Sequence, residues 1–372
     1  MEARQRIAPA TVTEVVDLGG LAALAPEWND LVEATSRELF YRAEFIRTWL
    51  ENFAGGAALR VLTLRSPEGA LEAVLPLIAE RVSMYGLPVR QLSAAANAHS
   101  CRFDLVAREP AAAAAAFLTH LQADSSWDLL RILDVPDGGA AYALLEHARR
   151  ERAPTGTWDS LLSPYIALPQ RHADFEARLP AKFKANCRRR RKKLEEKGTV
   201  TFERFTGGPE LGARLEEGFA LEQSGWKGQR GTAMAQDART RGFYTQLARE
   251  SAEAGRLTLH FLRLDGRAVA FHFGLSFQGR YLLLKPGYDE ALRECSPGQL
   301  LVQEVVRDLI GRGVTEFDFL GPDMVWKRDW TDLARQHRWL FLFRSSAFGR
   351  ALRAAKFKWA PLAKDVVKRW KR

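Results

Sequence analysis

The sequence predicts a mixed α/β (α+β) protein of two similar units, each a mixed, mostly antiparallel sheet flanked by helices. Three observations carry that expectation. Short runs of strand-forming residues are joined by two-residue turn signals. In both halves those runs lead into a helix and then a single further strand. The chain is 372 residues long, more than one hydrophobic core normally organises.

The elements justify this in order. "TVTEVVDL" reads as a first strand, and helical patterns follow over residues 21–34 and 43–53. "LRVLTLRS" and "LEAVLPLIAERV" are strands joined by "PEGA", a turn with Pro and Gly together. "CRFDLV" is expected to be another short strand. "EPAAAAAAFLTHLQA" is a helix with Pro in its first turn, where the missing N–H costs nothing. "WDLLRILDV" is a strand, residues 140–152 a helix, and Pro169 after "TWDSLLSPYIAL" marks a boundary. The second half repeats the order. "TVTFERF" is a strand, and a helix spans residues 209–223. "RLTLHFLRL" and "RAVAFHFGLSF" form a hairpin through Asp265-Gly266, and "RYLLLKPGY" follows through Gln278-Gly279. The helix "SPGQLLVQEVVRDLIGRG" then leads to the strand "TEFDFL". The helix-to-strand stretches 109–134 and 296–320 suggest an internal duplication carried by element order. The expected organisation is residues 1–168, residues 169–345, and a basic amphipathic tail at 346–372.

Composition narrows the function. The formal net charge is +10, which favours acidic partners such as phosphates, nucleic acid or an anionic membrane surface. That charge is concentrated near residues 182–197 and at the C-terminus. Cys101, Cys187 and Cys295 are far apart and have neither disulfide-framework nor metal spacing. No metal is expected. The N-terminus has no apolar signal-peptide run and no window is apolar enough to span a bilayer, so the expected location is the cytoplasm. In the tail, Leu362, Val366 and Trp370 recur every four residues among lysines and arginines. That pattern suits peripheral contact with the inner membrane or a solvated basic helix.

The run "NCRRRRKKLEEKG" looks like a nucleic-acid patch, but it lacks the interleaved aromatic and Gly residues of a base-stacking surface. On a helix, Phe183, Cys187 and Leu194 share one face, and Gly198 suits the position after the last turn. Arg190 falls about 20° from Phe183 on that wheel. An inward arginine needs a carboxylate, a phosphate or a wet cleft, so Arg190 is a candidate substrate contact. In "CSPGQLLVQEVV", Ser296 is expected as N-cap, Pro297 at the first helical position and Gln299 as the partner of a capping box. Gly298 removes a side chain where a ligand could approach the helix's positive end.

The segments "RRRRKKLEEKG", "SGWKG", "VAFHFGL", "LLLKPGYDE", "CSPGQLL" and "DFLGPDMVWKRDW" occur in the order seen in the CelD/BcsL group of GNAT-like acyltransferases. The resemblance covers about residues 179–340, and the group is distantly similar to the Fem peptidyltransferases. It implies two GNAT-like units and acyl transfer in cellulose or other exopolysaccharide biosynthesis. It also implies acyl-CoA (acetyl-CoA) as co-substrate, its pyrophosphate held by Ser296, Pro297, Gly298 and Gln299 with help from Lys285. The loop "RECSPGQ" departs from the usual Arg/Gln-x-x-Gly-x-Gly/Ala phosphate loop. That leaves open another acyl carrier, or aminoacyl-tRNA as in the Fem proteins. A third reading is a non-catalytic accessory protein.

Direct transfer needs a base and an oxyanion donor. His272 lies on the small-residue face of its strand with Ala268, Ala270 and Gly274, and suits a base. Asp318, near a strand end, and Lys327 complete the catalytic candidates. Each has an equally open structural reading: a satisfied histidine, a capping aspartate, a surface lysine. Tyr288 and Asp289 close the strand before the SPG loop, where Lys285 could reach a phosphate or pair with Asp289. Trp226 and Lys227 could form an acceptor-side wall, for a saccharide or small-molecule acceptor. In the first half His99, Ser100, Arg102 and Asp104 either line an acceptor cleft or are ordinary loop polarity.

Overall fold

The computed structural model describes residues 10–224 and 237–360. The chain divides into two compact units, residues 1–161 with 336–372, and residues 162–335.

In the first unit the order is β1 (Thr11–Val15), α1 (Leu18–Thr35), α2 (Ala43–Phe53), β2 (Ala58–Arg65), β3 (Leu71–Met84), β4 (Leu87–Ala94), β5 (Val106–Ala107), α3 (Pro110–Ala123), β6 (Leu129–Pro136), α4 (Tyr142–Arg150) and the start of β7 (Thr155–Ala167). Strands β1 to β4 form an antiparallel meander, and β6 then pairs parallel to β4. The second unit contains the end of β7, α5 (His172–Arg178), α6 (Ala181–Glu195), β8 (Val200–Phe205), α7 (Leu211–Ser224), α8 (Ala238–Glu253), β9 (Leu257–Leu264), β10 (Arg267–Phe277), β11 (Arg280–Tyr288), α9 (Pro297–Gly311), β12 (Glu316–Asp318) and α10 (Val325–Arg328). Strands β8 to β11 are antiparallel neighbours, and β12 pairs parallel to β11. Three antiparallel strands, a helix and a parallel strand thus occur in both units, the repeated order read from the sequence. Strand β13 (Ala334–Phe343) begins in the second unit and pairs with β6 in the first, and α11 (Ala347–Ala354) follows.

The expected boundary at Pro169 and the placement of residues 336–345 in the second half differ from this division. The reason is hydrogen bonding: from His337 onward β13 is laddered to β6. The described part of the expected tail also packs on the first unit, where Leu352 joins Phe341 and Phe343 and Phe357 meets Trp158 edge-on. Residues 361–372, with the amphipathic pattern, lie outside the described residues. Among the described residues no helix is long and apolar enough to cross a membrane.

The hairpin signals act as expected. Asp265 and Gly266 both adopt positive φ, as do Gln278 and Gly279, which matches the twist of the flanking strands. "CRFDLV" joins a ladder only at its last residue, Val106, which with Ala107 forms β5 against β3. Cys101 has φ 61°, and the Asp104 carboxylate accepts from the backbone N–H groups of Ala140 and Ala141 at the start of α4. A left-handed residue and a side chain bound to another element leave that segment no ladder to join. Strands β4 and β13 and helices α5 and α8 carry weaker patterns and were not anticipated.

In the second unit the sheet is covered on both faces. Gly218 of α7 rests on the Phe271 ring, and Tyr244 of α8 meets Phe273 edge-on. The alternate residues of β10 point to the other face, where α9 buries Leu300, Val305 and Leu309 in one core with Tyr281 and Phe317. Helix α6 adds Phe183, Cys187 and Leu194 to that same core, the stripe its sequence predicts.

Candidate active site

The site is built at the exit of β11. Tyr288 ends the strand, and Asp289 turns the chain by accepting from Ala291 N–H at 3.0 Å. A short 3₁₀ segment runs to Cys295, and Ser296 takes a left-handed conformation, φ 47° and ψ 57°. Pro297 then opens α9, as its fixed φ favours.

The expected capping box does not form. An N-cap side chain reaches forward from extended backbone. Left-handed Ser296 sends its hydroxyl back to donate to the Arg293 carbonyl at 3.3 Å. The Gln299 side chain is also committed. Its Oε1 accepts from the Trp330 indole at 2.5 Å, and its amide donates to the Trp326 carbonyl at 3.4 Å. The backbone N–H groups of Gln299 and Leu300 both donate to Ser296 O. Pro297 has no N–H. Ser296 N–H donates to Arg293 O, so of the four amides a helix start normally leaves over, that of Gly298 is the one without a hydrogen bond among the described residues. A Cβ on Gly298 would meet only the Tyr288 ring, at 3.5 Å. The protein's own packing does not require glycine there.

The other candidates separate. Asp318 is fully buried. Its Oδ2 accepts from Arg280 at 3.3 Å and Arg335 at 3.1 Å, and its Oδ1 from Leu320 N–H at 2.9 Å. Both arginines also reach Glu316, at 2.7 and 2.5 Å. The pair of carboxylates and pair of guanidiniums tie β11 and β12 to Arg335. Lys327 is buried as well, not at the surface. Its ammonium donates to the carbonyls of Leu320 and Pro322 at 2.6 and 2.7 Å, holding the loop after β12. Lys285 lies 3.9 Å from the buried Glu222 carboxylate and over the Tyr244 ring. It does not pair with Asp289, which takes Arg267 instead at 2.6 Å. The bulge between Phe273 and Gly274 in the β10–β11 ladder breaks the simple alternation that grouped Lys285 with Tyr281 and Leu283.

His272 is nearly fully buried on β10, directly across from His260 on β9 and Pro286 on β11. Opposed residues share a face, so His272 points to the α9 side with His260. There His260 Nδ1 lies 3.1 Å from the Tyr281 hydroxyl and its Nε2 3.7 Å from Asp308. Burial holds the His260 pKa below its ordinary value, against the pull of Asp308. Among the described residues no cluster of three or more His, Cys, Asp or Glu is placed to hold a metal. Trp226 and Lys227 lie outside the described residues.

Arg190 is half-buried beside Cys187. The inward arginine is its neighbour, Arg191, which pairs with buried Glu304 of α9. A cavity of about 480 Å³ opens there between α5, α6 and α9. Its cationic lining of Lys184, Arg188 and Arg191 follows i, i+4, i+7 spacing, and Gln303 and Arg307 face it across one turn of α9. That spacing is a signal present in the sequence itself, in the i, i+4, i+7 order of Lys184, Arg188 and Arg191. In the first unit, Arg102 pairs with Glu38 at 2.9 Å and Asp104 caps α4, so both serve the local fold.

Residues 181–328 match the family of acetyltransferase (GNAT) domains. No curated protein matches the sequence. Among solved structures, the C-terminal domain (DUF2156) of an Agrobacterium fabrum protein assigned as a lysylphosphatidylglycerol synthetase is similar at 14% identity, over 90% of this chain and 96% of that one, with a TM-score of 0.53. L-PGS from Bacillus licheniformis is similar at 12% identity, over 89% and 94%, with a TM-score of 0.52. FemX is similar at 11% identity, over 85% and 95%, with a TM-score of 0.55. At these identities the likeness is one of fold. The stretch that matches the acetyltransferase (GNAT) model lies within the second unit, and the strand–turn–helix at Tyr288–Gln299 falls inside it.

Proposed function

We propose that this chain is an acyltransferase that moves an acyl group from an acyl-CoA thioester to the amine or hydroxyl of a sugar or amine precursor of an exopolysaccharide or envelope polymer. One observation carries the reading. Within the stretch that matches an acetyltransferase domain, α9 begins with one amide that has no hydrogen bond among the described residues, on Gly298, a residue without a side chain. A phosphate of the donor would sit at Gly298, drawn by that N–H and the positive helix end. The acceptor's lone pair attacks the thioester carbonyl, the carbon–sulfur bond breaks, and the thiolate leaves. His272 is the proposed base for the acceptor's proton. Asp318 and Lys327 keep β11, β12 and the following loop in register, and so position rather than react.

A thermal-shift panel tests this. Acetyl-CoA or a longer acyl-CoA should raise the melting temperature, and Gly298→Trp should abolish the rise. An intact shift in that variant would remove the α9 start as donor seat. The resemblance in fold to FemX and to a lysylphosphatidylglycerol synthetase favours a second reading, Fem-like transfer from aminoacyl-tRNA. Stabilisation by charged tRNA and not by acyl-CoA would select it. Absence of turnover with both donors would leave an accessory protein.

A further inference from the structure

The cavity between α5, α6 and α9 is separate from the start of α9 and has chemistry of its own. Lys184, Arg188 and Arg191 line it from α6, and Arg307 and Gln303 from α9. Leu179, Phe183, Cys187 and Trp330 form an apolar floor, all buried. Three carboxylates accompany these four cations, Glu176, Glu304 and Glu195. Glu176 is on the rim, and Glu304 lies beneath, 9% exposed, shared by Arg191 and by Arg307 at 3.0 Å. Arg191 also donates to Glu195 at 3.0 Å, so Glu304 and Glu195 fix both guanidinium forks in place and balance them, and Lys184 and Arg188 are left facing Glu176 alone. Arg188 is exposed at the same opening, and Lys184 donates to the Glu176 carbonyl at 3.1 Å. The volume of about 480 Å³ is in the range of small-ligand sites.

We propose that this cavity is a second ligand site, for a diphosphate ester whose less polar part lies on the Leu179–Phe183–Cys187 floor. Guanidinium forks match phosphoryl oxygens two at a time. Cations projecting from two helices engage two neighbouring phosphoryl groups better than one. The site holds whichever donor occupies the α9 start, because none of its lining residues belongs to the Tyr288–Gln299 turn.

Calorimetric titration of the full-length protein with inorganic pyrophosphate tests the assignment. Lys184→Gln combined with Arg188→Gln spares the Glu304 pairs, so the unliganded melting temperature should hold while affinity falls by about tenfold or more. Gly298→Trp should bind pyrophosphate as the wild type does. Arg307→Gln, from the other helix, should weaken binding independently. Competition by a nucleoside diphosphate supports a soluble ligand for the site, and competition by vesicles carrying a polyprenyl diphosphate supports a lipid-borne diphosphate. Wild-type protein that gives no binding heat at millimolar pyrophosphate overturns the proposal. So does a double variant that binds normally, or a loss confined to Gly298→Trp.

Discussion

The Trp330 indole donates to Gln299 Oε1 at 2.5 Å, which makes one side chain the link between the start of α9 and the loop after β12. Trp330 is buried and stacks on Phe175, with Phe183 edge-on at 4.8 Å. Gln299→Leu would leave a buried indole N–H without its acceptor. The expected cost is about 1–3 kcal/mol, seen as a lower melting temperature and a shift in tryptophan fluorescence. Gln299→Glu keeps an acceptor and should recover part of the loss. Equal stability of all three proteins would mean the contact contributes nothing in solution.

Asp318→Asn separates structure from chemistry at β12. The substitution removes a fully buried carboxylate from between Arg280 and Arg335, with Arg280 itself buried. Stripping one partner from such a pair destabilises by about 3–5 kcal/mol. Denaturant unfolding should show the loss as an earlier midpoint. Unchanged stability with lost turnover would instead return Asp318 to the reacting centre.

Asp104 gives the first unit a pH signature. Burial pushes its pKa from 3.8 up to about 7, against three backbone N–H groups that favour the charged form. The folded state therefore binds more protons than the unfolded state between those two values, and stability falls as pH rises through that window. The decline should be visible in unfolding midpoints taken across the range. Asp104→Asn should flatten that slope and lower overall stability, because its NH₂ replaces one of the two oxygens that accept from the Ala140 and Ala141 amides and leaves one of them without an acceptor. A wild-type profile as flat as that of the variant would contradict the burial argument.

Much of the second unit was legible in its sequence because the signals are local. Asp265-Gly266 and Gln278-Gly279 need only their own backbone angles to make hairpins, and Phe183, Cys187 and Leu194 need only helical spacing to face inward. The site was less legible because its partners come from elsewhere in the chain. Nothing near Gln299 says that Trp330 will claim its side chain, or that Ser296 will turn left-handed and cancel the capping box. Arg280 and Arg335 determine what Asp318 does, and neither is its neighbour in sequence. Strand β13 was missed for a related reason. Its identity lies in pairing with β6, about two hundred residues earlier, and no turn links the two.

His272 and His260 face each other across β9 and β10, and their expected behaviour differs. His260 has a visible structural task. It meets the Tyr281 hydroxyl at 3.1 Å, lies beside Asp308, and stacks on Phe202. Its burial-lowered pKa means that stability is lost as pH falls and the folded state resists protonation. His260→Gln should therefore change unfolding far more than the shape of a pH–rate profile. His272→Gln should do the reverse if His272 accepts the acceptor's proton. Turnover should fall by about 10²–10⁴-fold, with little change in the acyl-CoA thermal shift and loss of the acidic limb of the profile. Single-turnover rates and melting curves for both variants decide the matter. A His272→Gln protein that melts early yet keeps its limb and its rate would make His272 a packing residue, and the base would have to be sought elsewhere in the unit.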